Sequence, residues 1–343
     1  MINLYQWLCN HIKPRCLRFL VILSICFAIP NLAKANHEVK AKDDFVMEHI
    51  GDAYAWHIAT IGHVHVSIPL PIILISSKRG IEIFSSTKLL NDHQKPVIYK
   101  GYFIDKHHHI RHTDPSFYFY DLSITKNICA MFISVLVLLL VMLLAARHYQ
   151  KNPAQVPKGF WNFLEMIIVF IKDEIALPNI GPKQYLDFLP YLLTVFFFIW
   201  LNNLIGLLPG AANVTGNISV TLVLAGFTFV MTNIHGNKHY WGHVFNPPGV
   251  PKWLMPIMVP VEILGLLTKP FSLMIRLFAN ITAGHIILLS IIGLIFIFQT
   301  SVVGLVSVPF GAFMFILKLL VAFLQAYIFT LLSAIYFGMA VEE

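Results

Sequence analysis

The stretch SLMIRLFANITAGHI, residues 272–286, sets Arg276, Asn280 and His285 in a run otherwise apolar enough for a membrane interior. A guanidinium stays protonated in any protein environment, so Arg276 cannot hand a proton on. It can lower the pKa of an approaching carboxylate and so take that group's proton away. Glu262, Lys269 and Arg276 stand seven residues apart. On a helix turning about 100° per residue they fall within about 40° of one another and form one polar stripe. Asn280, one turn past Arg276, prolongs it. His285 is nine residues beyond Arg276, about half a rotation away and roughly 13 Å further along the axis, so it looks into a different compartment. Lys318 stands in the next long apolar segment. Each of these groups costs at least about 2.5 kcal/mol at the centre of a lipid-exposed helix, so each should face protein, water or a partner charge. No carboxylate stands three or four residues from Arg276, which invites a partner from another chain. A snorkelling arginine is the plainer alternative, but from mid-span the interface is hard to reach.

The elements that hold these residues must be membrane helices. The chain has 343 residues, 57% of them hydrophobic and 12% charged, with a mean hydropathy of +0.72, outside the range of soluble domains. The formal charge of +7 is scattered between apolar segments rather than gathered in a basic stripe with interleaved aromatics, so no nucleic-acid partner is expected. Residues 128–146, 189–208 and 218–234 each read as one span. Between the first two, residues 158–178 repeat Phe160, Phe163, Leu164, Ile167, Ile168 and Ile171 at helical spacing against Glu165, Lys172 and Asp173. That pattern suits a helix lying in the interface. From Leu254 to Ile292 a continuous helix would measure about 58 Å against a hydrocarbon thickness of about 30 Å. It must be strongly tilted, or broken at Pro256, Pro260 or Pro270. Residues 303–340 form a second long segment. The expected fold is an all-α polytopic membrane protein of about five transmembrane helices, with an interfacial amphipathic helix and a long tilted C-terminal hairpin.

Residues 1–35 have the anatomy of a signal peptide, with a basic start, an apolar run too short to span, and Ala33-Lys34-Ala35 at the cleavage site. Cys9, Cys16 and Cys26 leave with it, and Cys129 remains alone. Residues 36–126 are polar and His-rich, with β-type runs VHVSIPLPIILIS, GIEIF, PVIYKGYFI and SFYFYDL. They read as a small exported (periplasmic) β-containing domain, followed by a membrane domain at 127–343. The run KHHHIRH at 106–112, with His63 and His65, could suggest a metal cluster, but no ligand spacing matches a known site and a solvated loop is the better reading. Export of residues 36–126 puts Arg147, Lys151, Lys158, Lys172 and Lys183 in the cytoplasm, as the positive-inside rule requires. Alternating spans place the C-terminus there too.

SLMIRLFANITAGH together with FLQAYIFTLLSAIYFGMA resembles the two signature helices of the subunit a family, the stator proton channel of F-type ATP synthases. The resemblance extends over about residues 127–343, including YLDFLPYLLTVFFFIWLNNLIGLLPG and VEILGLLTKPFSLMIRLFAN. It implies a non-catalytic subunit of a bacterial inner membrane, without cofactor or metal, that couples proton flow to ring rotation and ATP synthesis. Its implied partners are the c-ring, the peripheral-stalk subunit b and the catalytic head. Carried over by position, Arg276 matches the family's essential arginine facing the c-ring carboxylates. Asn280 and Gln325 match polar residues flanking it, Glu262 and Asp187 match acidic positions of an aqueous half-channel, and Tyr336 matches an aromatic of the last helix. His285 stands where members carry Glu or His. Members with His usually place a carboxylate where this chain has Lys318. That departure suggests a lysine relay, or a pairing of Lys318 with Glu262 or a ring carboxylate. Lys318, seven residues before Gln325, is expected on the same side of the last helix, toward Arg276 and the ring.

A secondary ion transporter with an exported sensor-like domain is the competing class. It predicts internally repeated halves, and no repeat is visible. A sensor would need a cytoplasmic output domain. No G-x-x-x-x-G-K-[ST] motif is present, so nucleotide binding of that kind is not expected.

Overall fold

The computed structural model describes residues 52–61, 64–76, 79–89, 97–105, 109–114, 117–151, 159–207, 212–246, 251, 253–298 and 301–342. The expected signal peptide lies outside them.

Alternation of apolar residues builds the N-terminal domain. Strands β1 (Ala55–Ile61) and β2 (Val64–Pro69) form an antiparallel hairpin. β3 (Pro71–Ser76) is the middle strand of a sheet in the order β4-β3-β7, with β4 at Gly80–Ser85 and β7 at Phe119–Asp121. β5 (Tyr102–Ile104) pairs with β6 (Ile110–His112). Along β3, Ile72 and Leu74 point inward to join Tyr54, Phe84, Tyr102 and Ile110 in one core, the period-2 pattern of a sheet with a single buried face. Two expectations need correction. VHVSIPLPIILIS is two strands, because Pro69 and Pro71 flank the buried Leu70 and interrupt the ladder there. The end of KHHHIRH is not a loop: Ile110–His112 is β6, held by Ile110 in the core and by stacking of His112 on Phe117.

The junction with the membrane domain is short and bonded. Helix α1 (Lys126–Lys151) follows β7 after four residues, Leu122–Thr125. At its head Asn127 N–H donates to Asp52 Oδ1 at 3.1 Å and Lys126 N–H to the Ala53 carbonyl at 2.9 Å. Trp56 of β1 packs onto the core of the membrane helices.

Next comes the amphipathic segment, α2 (Phe160–Phe170), continuing through a π-turn at Ile171–Ala176 to Ile180. Leu164, Ile167, Ile168 and Ile171 are buried while Phe160 and Phe163 stay exposed on its outer side. Helix α3 (Tyr185–Gly206) is the hub, with 78% of its apolar window buried. Helix α4 (Ile218–Ile234) is followed after a bend of 104° by α5 (Lys238–Phe245). Two very long helices close the chain, α6 (Met255–Phe298, 44 residues) and α7 (Ser301–Val341, 41 residues). Among the described residues four helices can cross a membrane by length and composition, or five if α4 and α5 count as one bent span.

Of the two expectations for the long segment, tilt prevails over breakage. Helix α6 runs unbroken through Pro260 and Pro270. The apolar stretch Met255–Ile291 is 37 residues, about 55 Å, and only a steep slope keeps that within about 30 Å of hydrocarbon. The Thr268 hydroxyl donates to the Gly265 carbonyl at 2.8 Å, beside the Leu266 carbonyl that Pro270 deprives of its helical donor. Helix α7 lies against α3 and α6. A Cβ at Gly338 would run into the Asn179 carbonyl, so this position requires glycine where α7 crosses the end of the amphipathic segment.

Candidate functional site

Helix α6 carries three polar stations. Near its start, Glu262 is close enough to Lys269 and to Tyr240 of α5 for their charges to interact. Lys269 Nζ lies over the Tyr336 ring of α7, 5.7 Å from its centroid, a cation–π contact. Lys269, Tyr240, Tyr336, Thr228 and Thr232 line a narrow cleft between α4, α5, α6 and α7. Behind it the Tyr191 and Thr228 hydroxyls share a hydrogen bond of 2.7 Å. Asp187 is exposed in the first turn of α3. Next to it Phe188 stacks on Phe337 and meets His235 edge-on, so Asp187 belongs to the same end of the bundle as the cleft.

Arg276 forms the middle station. It lies 14 residues past Glu262 and 9 before His285, about 21 Å and 13 Å along the axis. Its side chain is exposed, as is Asn280 one turn on, and among the described residues no carboxylate comes within salt-bridge distance of it. Asn280 Nδ2 donates to Gln325 Oε1 at 2.8 Å, and Gln325 is 2% exposed. This bond clamps α6 to α7 beside the guanidinium. Around Arg276 the outer face is apolar, with Phe271, Ile275, Leu320 and Leu324 exposed.

The third station is His285. Its ring lies over Gly206 at the end of α3, and Lys318 Nζ stands 3.3 Å from His285 Nδ1. The lysine stem crosses Gly284, whose missing side chain leaves the room. This corrects the expected orientation of Lys318. The residue faces α6, as Gln325 does, but at the level of His285 rather than Arg276. A pairing with Glu262 is excluded by distance, since Glu262 precedes His285 by 23 residues, about 35 Å of helix.

Buried polar groups missed in the sequence surround this end. Thr215 Oγ1 donates to Asn203 Oδ1 at 2.6 Å, and Asn203 Nδ2 to the Ala322 carbonyl at 3.3 Å. Asn202 Oδ1, Asn213 Nδ2 and Thr282 Oγ1 are buried without a hydrogen-bond partner among the described residues. Polar atoms so placed recruit water. The pair Asn202-Asn203, adjacent in an apolar span, was the available signal. Of the histidines considered as metal ligands, His63 and residues 106–108 lie outside the described residues, and no three His, Cys, Asp or Glu side chains converge among those described.

A long helical hairpin that turns one cation outward between two polar clusters has the layout of an ion-translocating membrane subunit. Residues 128–338 match the model of the ATP synthase A chain, and residues 45–124 match a domain of unknown function, DUF8433. The chain is 49% identical over 230 residues to ATP synthase subunit a of Chloroherpeton thalassium, covering 65% of this chain and 68% of that protein. To the subunit a of Chlorobium phaeobacteroides it is 47% identical over 228 residues (64% and 66%). To that of Myxococcus xanthus it is 46% identical over 227 residues (64% and 74%). The chain thus spans about two thirds of the length of these relatives, and it belongs to the ATP synthase subunit a family.

Proposed function

We propose that this chain is the stator half of a proton turbine in a bacterial inner membrane, with the N-terminal domain periplasmic and the C-terminus cytoplasmic. Its partners in this reading are the c-ring, subunit b and, through the complex, the catalytic head. The observation that carries it is Arg276, exposed on the outer face of α6 midway between the two polar clusters, with no carboxylate of the described residues within salt-bridge distance. A proton enters on the periplasmic side through His285 and Lys318 and neutralises a ring carboxylate, which then turns through lipid. On the return the carboxylate meets Arg276, whose fixed charge favours its ionised form and releases the proton. The proton leaves by the cleft lined by Lys269 and Tyr336, with Glu262 and Asp187 on its way to the cytoplasm. Arg276 also bars direct passage, because a guanidinium neither yields a proton nor lets another cation by cheaply. Asn280 and Gln325 keep it in register with the ring. The chain itself breaks no bond.

The test is ATP-driven proton pumping in inverted vesicles with Arg276→Ala and Arg276→Lys. Both should assemble and hydrolyse ATP yet pump nothing, lysine failing because it offers a point charge that deprotonates when desolvated. Coupled pumping by Arg276→Ala at the parental rate would refute the reading.

A further inference from the structure

The exported domain is bonded to the membrane domain at the very end of the bundle that holds His285. Asp52 Oδ1 accepts hydrogen bonds from Ala53 N–H at 3.0 Å and Asn127 N–H at 3.1 Å, so a carboxylate from 75 positions upstream sits on the head of α1. Beside it Lys126 is 9% exposed, and among the described residues no carboxylate lies within 4 Å of its ammonium. Its ammonium is close enough to Asp52 and to the His285 imidazole for the charges to act on one another. Asn127, next to it, keeps a buried Oδ1 without a partner among the described residues. The turn Val214–Gly216, which carries Thr215, touches α1, α3 and α6 together. Polar groups therefore stand on both sides of this turn, Asp52, Lys126 and Asn127 at the head of α1 and Thr282, His285 and Lys318 on α6 and α7.

We propose that Asp52 is a positioning residue of the proton entry path, supplied by the exported domain, whose negative charge offsets Lys126 so that a proton can reach His285. The proposal rests on the reading of His285 and Lys318 as the entry relay. Two ammonium groups near one imidazole oppose the arrival of a third positive charge. Asp52 is held against the first of them by bonds that do not depend on its charge. The exported domain is then part of the channel mouth rather than an appendage.

The experiment uses the purified complex in liposomes, with ATP synthesis driven by an imposed proton gradient. Asp52→Asn keeps the oxygen that accepts both backbone N–H groups, asparagine being as good a helix cap as aspartate, and removes only the charge. Synthesis should fall roughly tenfold, the scale of one uncompensated unit charge in partly hydrated protein, with assembly and ATP hydrolysis unchanged. Removing the opposing charge as well, in Asp52→Asn with Lys126→Met, should restore synthesis to within about twofold of the parent, since the net charge at the mouth returns to its original value. Lys126→Met alone should be at least as fast as the parent. An unchanged rate in Asp52→Asn, a double variant no faster than Asp52→Asn, or a slower Lys126→Met would each overturn the proposal. A parental complex that makes no ATP would instead overturn the channel reading beneath it.

Discussion

The Lys318 ammonium stands 3.3 Å from His285 Nδ1, which joins the only ionisable side chain in the first half of α7 to the only one in the second half of α6. A charged lysine here donates to a neutral imidazole carrying its proton on Nε2; a neutral amine instead accepts from Nδ1–H. Moving one proton across the contact interconverts the two, which is what a relay needs.

Lys318→Met should therefore slow passive proton conduction in head-stripped vesicles by more than about tenfold, on the scale of losing a proton-transfer group. Lys318→Glu should recover most of it, because a carboxylate can exchange a proton with His285 in the same place. Conduction at the parental rate in Lys318→Met would assign the pair a packing role only.

Topology is open to a direct check. An alkaline phosphatase fusion after residue 100 should be active and one after Glu343 inactive. Mass spectrometry of the mature chain should find its first residue at Asn36, within about two positions. An active C-terminal fusion would mean an odd error in the number of crossings.

Gly338→Leu should block assembly, because the added side chain meets the backbone of Asn179 rather than a movable side chain. Overpacking of this kind costs about 1–3 kcal/mol or more. The measurement is the yield of intact complex, with Met339→Leu, at an exposed neighbouring position, remaining near the parental yield.

The pH behaviour of the domain junction follows from Asp52. Burial pushes its carboxyl above the ordinary 3.8, only partly offset by the backbone N–H groups of Asn127 and Ala53 and by the charge of Lys126. The folded state thus holds a proton that the unfolded state has already lost, and stability falls as pH rises from 3.8 through the raised value. Protease resistance of the N-terminal domain in the whole complex should be higher at the acid end of that window. Asp52→Asn should remove this part of the dependence without weakening the junction at neutral pH.

The membrane helices were legible because their signal is local. The run of residues 218–234 is α4 to the residue, since seventeen mostly apolar positions bounded by Asn217 and His235 leave few other choices. Arg276 and His285 were legible for the same reason, a charge or imidazole in an apolar run having to earn its place. Pairings between distant segments were not. Nothing near Lys318 says that Gly284 leaves room for it, and the register of α7 on α6 is set by packing along both helices. β6 was hidden in a histidine-rich run whose single core residue, Ile110, gives no alternation to read. Asp52 was hidden more thoroughly, because the backbone group it binds lies 75 positions away and the contact exists only once the N-terminal domain has docked.

The outward exposure of Arg276 also fixes an order of events in biosynthesis. Helices α6 and α7 bury only 17% and 11% of their apolar windows against the rest of the chain, and the guanidinium stands in that uncovered face. In the proposed complex, lipid must solvate it until the ring is present, at a cost of about 2.5 kcal/mol or more. A newly inserted copy is therefore an orphan, poorly tolerated by the bilayer and open to the proteases that clear unassembled membrane proteins. Rings made first would shelter each new copy on arrival, and a surplus of this chain over rings should be short-lived.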